Sequence, residues 1–164
     1  MFEKVNPQHP DKVADRIAGA IVDLCYSKQD NPKCAIEVLI GHKHATILGE
    51  VSIRPNQIEI TEIVKRIAPE VDYLSVGLFE QDKHLADNQA EEVRCGDNGI
   101  FKGMPITEEQ RQGVYLAKEI YKKYPTDGKY IINQKQAEAI ICQSNADDKL
   151  REIYPDAVIN PLGD

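Results

Sequence analysis

Two runs of alternating apolar residues flank the short connection Gly41-His42-Lys43, and few architectures accommodate that pattern. Ile36, Val38 and Ile40 alternate with Ala35, Glu37 and Leu39, and a second alternating run covers 44–52. Successive side chains of a strand point to opposite faces, so two such runs about a short polar connection predict a β-hairpin. With His42 and Lys43 as a two-residue turn, Gly41 pairs with His44. One face then collects Ile36, Val38, Ile40, Ala45 and Ile47, and the other collects Glu37, His44, Thr46 and Glu50. The register thus sets two carboxylates on one polar face.

Around this hairpin the chain switches between helical and extended periodicity. Val13, Ile17, Ile21 and Leu24 recur at helical spacing behind Pro10 and Asp11, residues suited to a first turn, and predict a helix over 11–26. Ile60, Ile63, Val64 and Ile67 predict a short helix closed by Pro69, and 73–79 reads as a strand. Over 80–103 the chain is polar and glycine-bearing with little periodicity, which reads as a functional loop. Thr107 with Gln110 makes a capping box ahead of Val114, Ala117 and Ile120, so a helix runs from about 108 until Pro125 stops it. Strands are expected over 129–133 and 137–143, a short helix over 147–154 and an extended piece over 157–160. The sum is an α+β chain of short antiparallel and mixed sheets with helices packed on one side. Gly103 and Pro105 set the expected domain boundary, giving 1–104 and an incomplete 105–164 that stops abruptly at Asp164.

Charge narrows the partners. Lys plus Arg total 20 against 27 Asp plus Glu, a net charge of −7, which disfavours a phosphate-backbone binder, so no nucleic acid is expected. The longest apolar runs fall well short of the roughly 20 residues that cross a bilayer, so no membrane is expected either. Cys25, Cys34, Cys95 and Cys142 lie far apart without a C-x-x-C pair, which reads as reduced thiols in a cytoplasmic protein. No G-x-x-x-x-G-K-[ST] loop is present, and Cys95, with no histidine near it in sequence, reads as inert.

Chemistry concentrates in a few segments. Asn6-Pro7-Gln8-His9-Pro10-Asp11-Lys12 gathers an imidazole, a carboxylate and an ammonium at an expected helix start. By residue type alone it is either an ordinary cap with a surface histidine or an anion site at which Asp11 offers oxygen to magnesium. Glu37 and Glu50 are by type two solvated glutamates, Asp97-Asn98-Gly99 a turn, and Pro125-Thr126-Asp127-Gly128 another turn before a strand.

His9-Pro10-Asp11-Lys12, followed by Ala14-Asp15 and Ile17, resembles the H-P-D-K-x-A-D-x-I motif of methionine adenosyltransferases, also called S-adenosylmethionine synthetases. The resemblance implies that His9 is catalytic and ATP-binding, beside the bond broken when methionine sulfur attacks the ribose 5′ carbon, and that Asp11 binds magnesium. It further implies that Glu37 binds potassium and Glu50 the methionine amino group. Gln81 is similar to a glutamine that contacts methionine, although Asp82-Lys83-His84-Leu85 replaces the usual Ser-Pro-Asp-Ile-like stretch, and His84 reads as a solvated loop residue. Arg94-Cys95-Gly96-Asp97-Asn98-Gly99 resembles a G-A-G-D-Q-G segment and would put Asp97 against methionine and adenosine. Pro125-Thr126-Asp127-Gly128-Lys129 resembles R-P-D-A-K, implying ATP contacts from Asp127 and Gly128 and a catalytic, phosphate-binding Lys129.

The implied protein forms S-adenosylmethionine from ATP and L-methionine with release of phosphate and diphosphate, uses magnesium and potassium, and assembles as a homodimer or higher homo-oligomer. The family's later segments, with a second magnesium aspartate and further cationic groups, have no counterpart before Asp164, so the segment alone is expected to be incomplete. The alternative is a non-catalytic nucleotide- or S-adenosylmethionine-binding or assembly module of the same fold.

Overall fold

The computed structural model describes residues 1–88, 90, 104–136 and 138–163. It divides into two compact units, Met1–Lys12 with Lys102–Asp164, and Val13–Phe101.

In the second of these units the hairpin forms in the expected register. Strands β2 (Cys34–Gly41) and β3 (His44–Val51) are antiparallel, with Gly41 opposite His44, Glu37 opposite Leu48 and Ala35 opposite Glu50. The turn residues His42 and Lys43 have φ of 48° and 65°, the left-handed region that a two-residue hairpin turn demands and that side chains resist. Neighbouring contacts hold them there: the Lys43 carbonyl accepts from the backbone N–H groups of Asp72 and Tyr73, and the His44 ring stacks on Tyr73 at 4.6 Å. Strand β4 (Tyr73–Phe79), with the bounds read from sequence, lies parallel to β3 and completes a three-stranded sheet.

One face of this sheet is covered by two helices, α1 (Pro10–Lys28) and α2 (Gln57–Ile67). Val13, Ile17, Ile21 and Cys25 of α1 meet Ile60, Ile63 and Val64 of α2 over Ala45, Ile47 and Leu78. The α2 start is fixed by a capping box between Asn56 and Glu59. Where the polar stretch reads as loop from residue 80, a short helix α3 (Lys83–Asn88) forms instead; the Asp82 carboxylate accepts the His84 N–H at 2.8 Å and starts it. His84 is exposed, as expected.

The other unit is built on a strand with no periodic signal, β1 (Phe2–Val5). It pairs antiparallel with β5 (Gly128–Asn133), which pairs antiparallel with β6 (Glu138–Gln143), and β7 (Val158–Asn160) lies parallel to β6. Helix α4 (Glu108–Lys123) begins at the expected Thr107–Gln110 capping box, and α5 (Asp148–Ile153) at Asp147. Leu116, Ala117 and Ile120 of α4 and Leu150 of α5 close over Tyr130, Ile132 and Ile141. No helix among the described residues is long and apolar enough to cross a membrane.

The two faces of β3 give a direct test. Ile47 is fully buried and its neighbour Leu48 half exposed, so Ile47→Ala should cost about 2–5 kcal/mol through transfer and cavity terms, and Leu48→Ala less than about 1 kcal/mol. Urea unfolding of both variants checks the register, and equal losses would contradict it.

Candidate functional site

A helix start and a turn are held together by buried polar groups. Asn6, almost fully buried, donates its Nδ2 to the Thr126 carbonyl at 2.7 Å and to the Tyr130 hydroxyl at 3.2 Å, while its backbone N–H reaches the Gly128 carbonyl at 2.9 Å. Tyr130 donates to Gln143 Oε1 at 2.6 Å, and Gln143 Nε2 returns to Thr126 Oγ1 and the Asp127 carbonyl, both at 3.0 Å. Ser144 donates its backbone N–H and its hydroxyl to that same carbonyl. Gly128 sits inside the cluster: a Cβ there would lie 2.5 Å from both Gln143 Oε1 and the Tyr130 hydroxyl, so a larger residue would have to displace these side-chain ends.

This frame positions several residues expected from sequence. Three residues beyond Asn6, His9 is buried, and its Nδ1 accepts the backbone N–H of Asp11 at 3.2 Å. A neutral ring whose Nδ1 accepts carries its proton on Nε2. The Asp11 carboxylate, 3.8 Å from that ring, is 83% exposed in the first turn of α1. Across the β1–β5 pairing, Lys129 is the register partner of Val5. Asp127 Oδ1 is buried without a hydrogen-bond partner, an arrangement that calls for a donor. His9, Asp11, Asp127, Gly128 and Lys129 thus belong to one compact unit.

Burial, and then the nearby Lys12 and Lys118, hold the Lys4 ammonium below its usual range.

The remaining expected residues divide differently. Glu37 and Glu50 share the uncovered face of the three-stranded sheet, and Glu50 Oε2 accepts the Asp82 N–H at 2.8 Å, next to the half-buried Gln81. These three lie in the other unit, and Asp97 lies outside the described residues. Among the described residues no three His, Cys, Asp or Glu side chains gather as a metal cluster. Sequence reasoning missed Tyr130 and Gln143 and gave Asn6 no role; the available signal was a glutamine ending the apolar run 139–142, with a glycine opening the partner strand.

The architecture is like that of a solved structure titled as an unusual S-adenosylmethionine synthetase from Campylobacter jejuni, with a TM-score of 0.56, 16% identity and coverage of 99% of this chain and 59% of that one. At that identity the likeness speaks for fold. The sequence model described as the S-adenosylmethionine synthetase N-terminal domain matches residues 1–92, and the chain belongs to that family. The S-adenosylmethionine synthase of Acholeplasma laidlawii is 48% identical over 144 residues, covering 74% of this chain and 37% of its own length. That of Borrelia garinii is 36% identical over 124 residues, covering 65% of this chain and 32% of its own. The chain spans about a third of the length of such relatives.

The Tyr130 phenol reports on the buried frame. Burial first, and Asp127 next, push it up to about 12, against the hydrogen bond from Asn6. The folded state therefore holds this proton more tightly than the unfolded state, so its contribution is complete below pH about 10 and is lost as pH rises through about 12. Tyr130→Phe should lower stability at neutral pH by about 1–3 kcal/mol by stranding Gln143 Oε1, and should remove this part of the alkaline loss. Unfolding free energies of both proteins across that range check it; a difference that stays constant with pH would contradict it.

Proposed function

We propose that the chain supplies part of an active site that forms S-adenosylmethionine from ATP and L-methionine, with release of phosphate and diphosphate. The observation that carries this reading is the buried, unpartnered Asp127 Oδ1 within the unit that also holds His9 and Lys129. A hydroxyl or amine of adenosine would satisfy that oxygen. Lys129, which follows Asp127 by two residues and so lies on the same face of the extended chain, meets the phosphates.

His9 donates from Nε2 to the ribose oxygen that leaves with the triphosphate, because Nδ1 is already engaged by the Asp11 N–H. In the other unit Glu50, ordered by its hydrogen bond from Asp82, takes the methionine amino group with Gln81, and Asp97 completes that subsite. Asp11 fits magnesium as a single exposed carboxylate that leaves room for phosphate and water oxygens, and Glu37, exposed on the sheet, fits potassium. When bound, the cations neutralise the charge of the departing triphosphate.

The working form is a cytoplasmic homodimer or higher homo-oligomer. Leu39, Leu48, Tyr73 and Phe79 leave an exposed apolar band on the sheet face of Glu37 and Glu50, the kind of surface a second copy covers.

Binding of Mg·ATP by the chain, followed calorimetrically, tests the nucleotide half. Asp127→Ala and Lys129→Met should each weaken it about tenfold or more, and His9→Asn should scarcely change it, since His9 acts on the transition state. Undiminished affinity in the first two variants would overturn the reading. With this segment grafted onto a full-length relative, His9→Asn should lower kcat by roughly 10²-fold at little change in KM, whereas unaltered turnover would remove His9 from the chemistry.

A further inference from the structure

A helix as short as α3 does not hold itself together in water, because fixing its first turn costs more than its few hydrogen bonds return. It forms here because the open end of the hairpin grips it twice. At its start Glu50 Oε2 on β3 accepts the Asp82 N–H at 2.8 Å. Asp82 then begins the helix, its carboxylate accepting the His84 N–H at 2.8 Å and its carbonyl the Ala86 N–H at 3.0 Å. At the other end the Lys33 ammonium donates to the Ala86 carbonyl at 2.9 Å. That carbonyl is one of the last four, which a helix leaves without an internal partner.

The two gripping residues are neighbours across the hairpin. Cys34 pairs with Val51 and Ala35 with Glu50, so Lys33 stands one position beyond the last pair. Its backbone is locked to Ser52: the Lys33 N–H meets the Ser52 hydroxyl at 3.0 Å, and the Lys33 carbonyl accepts the Ser52 N–H at 2.8 Å. Ser52 Oγ in turn donates to Gln29 Oε1 at 3.3 Å. Each charge suits the end it holds, a carboxylate at the N–H end and an ammonium at the carbonyl end, and hydrogen bonds to charged groups are the stronger kind.

We propose that Lys33 and Glu50 clamp α3 between them, and that Lys33 is thereby a positioning residue for Glu50 in binding the ammonium of an α-amino acid. The second step rests on the reading of Glu50 given above. With the far end of α3 anchored by Lys33, the Asp82 N–H stays on Oε2 and fixes the carboxylate with Oε1 toward the ammonium. A side chain already held in this way loses less rotamer freedom on binding. Cutting the tether at Lys33 lets α3 unravel from its end, releases Asp82 and returns that freedom to Glu50, although Lys33 itself touches no ligand.

Amide hydrogen exchange of the purified chain tests the clamp. Lys33→Met keeps the side chain's length and removes its ammonium; it should speed exchange at residues 82 and 86–88 by roughly tenfold, while β2, β3 and β4 stay protected. Lys33→Arg should restore the slow exchange. Glu50→Ala should act like Lys33→Met, and the double variant should exchange hardly faster than either single one, because a helix released at one end is already lost. Unmoved α3 exchange in Lys33→Met, or fully additive effects, would overturn the clamp. Titration with L-methionine, followed by the Glu50 side-chain carboxyl resonance of the carbon-13-labelled chain, tests the positioning role. Affinity should be equal in the wild type and Lys33→Arg and lower by about threefold to tenfold in Lys33→Met. Equal affinity in Lys33→Met would remove Lys33 from the amino-acid site. A wild-type Glu50 that ignores methionine, in a chain whose α3 still responds to Lys33, would overturn the reading of Glu50 and leave the clamp standing.

Discussion

Asn6 reaches the Thr126 carbonyl and the Tyr130 hydroxyl across 120 and 124 residues of chain, and the geometry of its compact unit follows from those contacts. A buried amide left without partners costs about 1–3 kcal/mol, so Asn6, Tyr130 and Gln143 must be satisfied together. Their mutual satisfaction sets β1 against β5, crowds residue 128, and fixes the carbonyls of Thr126 and Asp127. His9 follows within one turn of chain, its N–H bonded to the Asn6 carbonyl. A polar core of this kind stabilises only when complete, and it ties local order to the placement of functional groups.

Part of this was legible in the amino-acid order. The hairpin was, because Ile36, Val38 and Ile40 can be buried together in one register only, and a slip of one residue would expose them all. The strand Tyr73–Phe79 and the Thr107–Gln110 cap were legible for the same reason, since each signal is complete within a few residues. Strand β1 was not: four residues with one large apolar side chain have no period, and their strand character comes from pairing with β5 far along the chain. The parallel pairing of β3 with β4 is likewise tertiary. Helix α3 escaped notice because its start depends on Asp82, whose own N–H is held by Glu50, 32 residues earlier. The Asn56–Glu59 capping box was readable and was missed.

For the candidate site, residue types and their order carried the family likeness but not the supporting frame. His9, Asp11, Asp127 and Lys129 are polar residues that any surface could display; what distinguishes them is a buried His9 ring with its tautomer set by a backbone N–H, and a buried carboxylate oxygen awaiting a donor. Neither property is visible without coordinates. Glu37 and Glu50 are the converse case, since alternation alone placed them on one face, although not what that face meets.

We propose that the Asn6 frame makes the helix start and the 126–129 turn one binding surface for a nucleotide triphosphate. Amide resonances of the isotopically labelled chain, followed during titration with Mg·ATP, address it directly. The account predicts that the amides of residues 8–12 and 126–129 shift together along a single binding curve, with the His9 ring resonances following the same curve. Shifts confined to one of the two segments, or two segments titrating with different affinities, would contradict it.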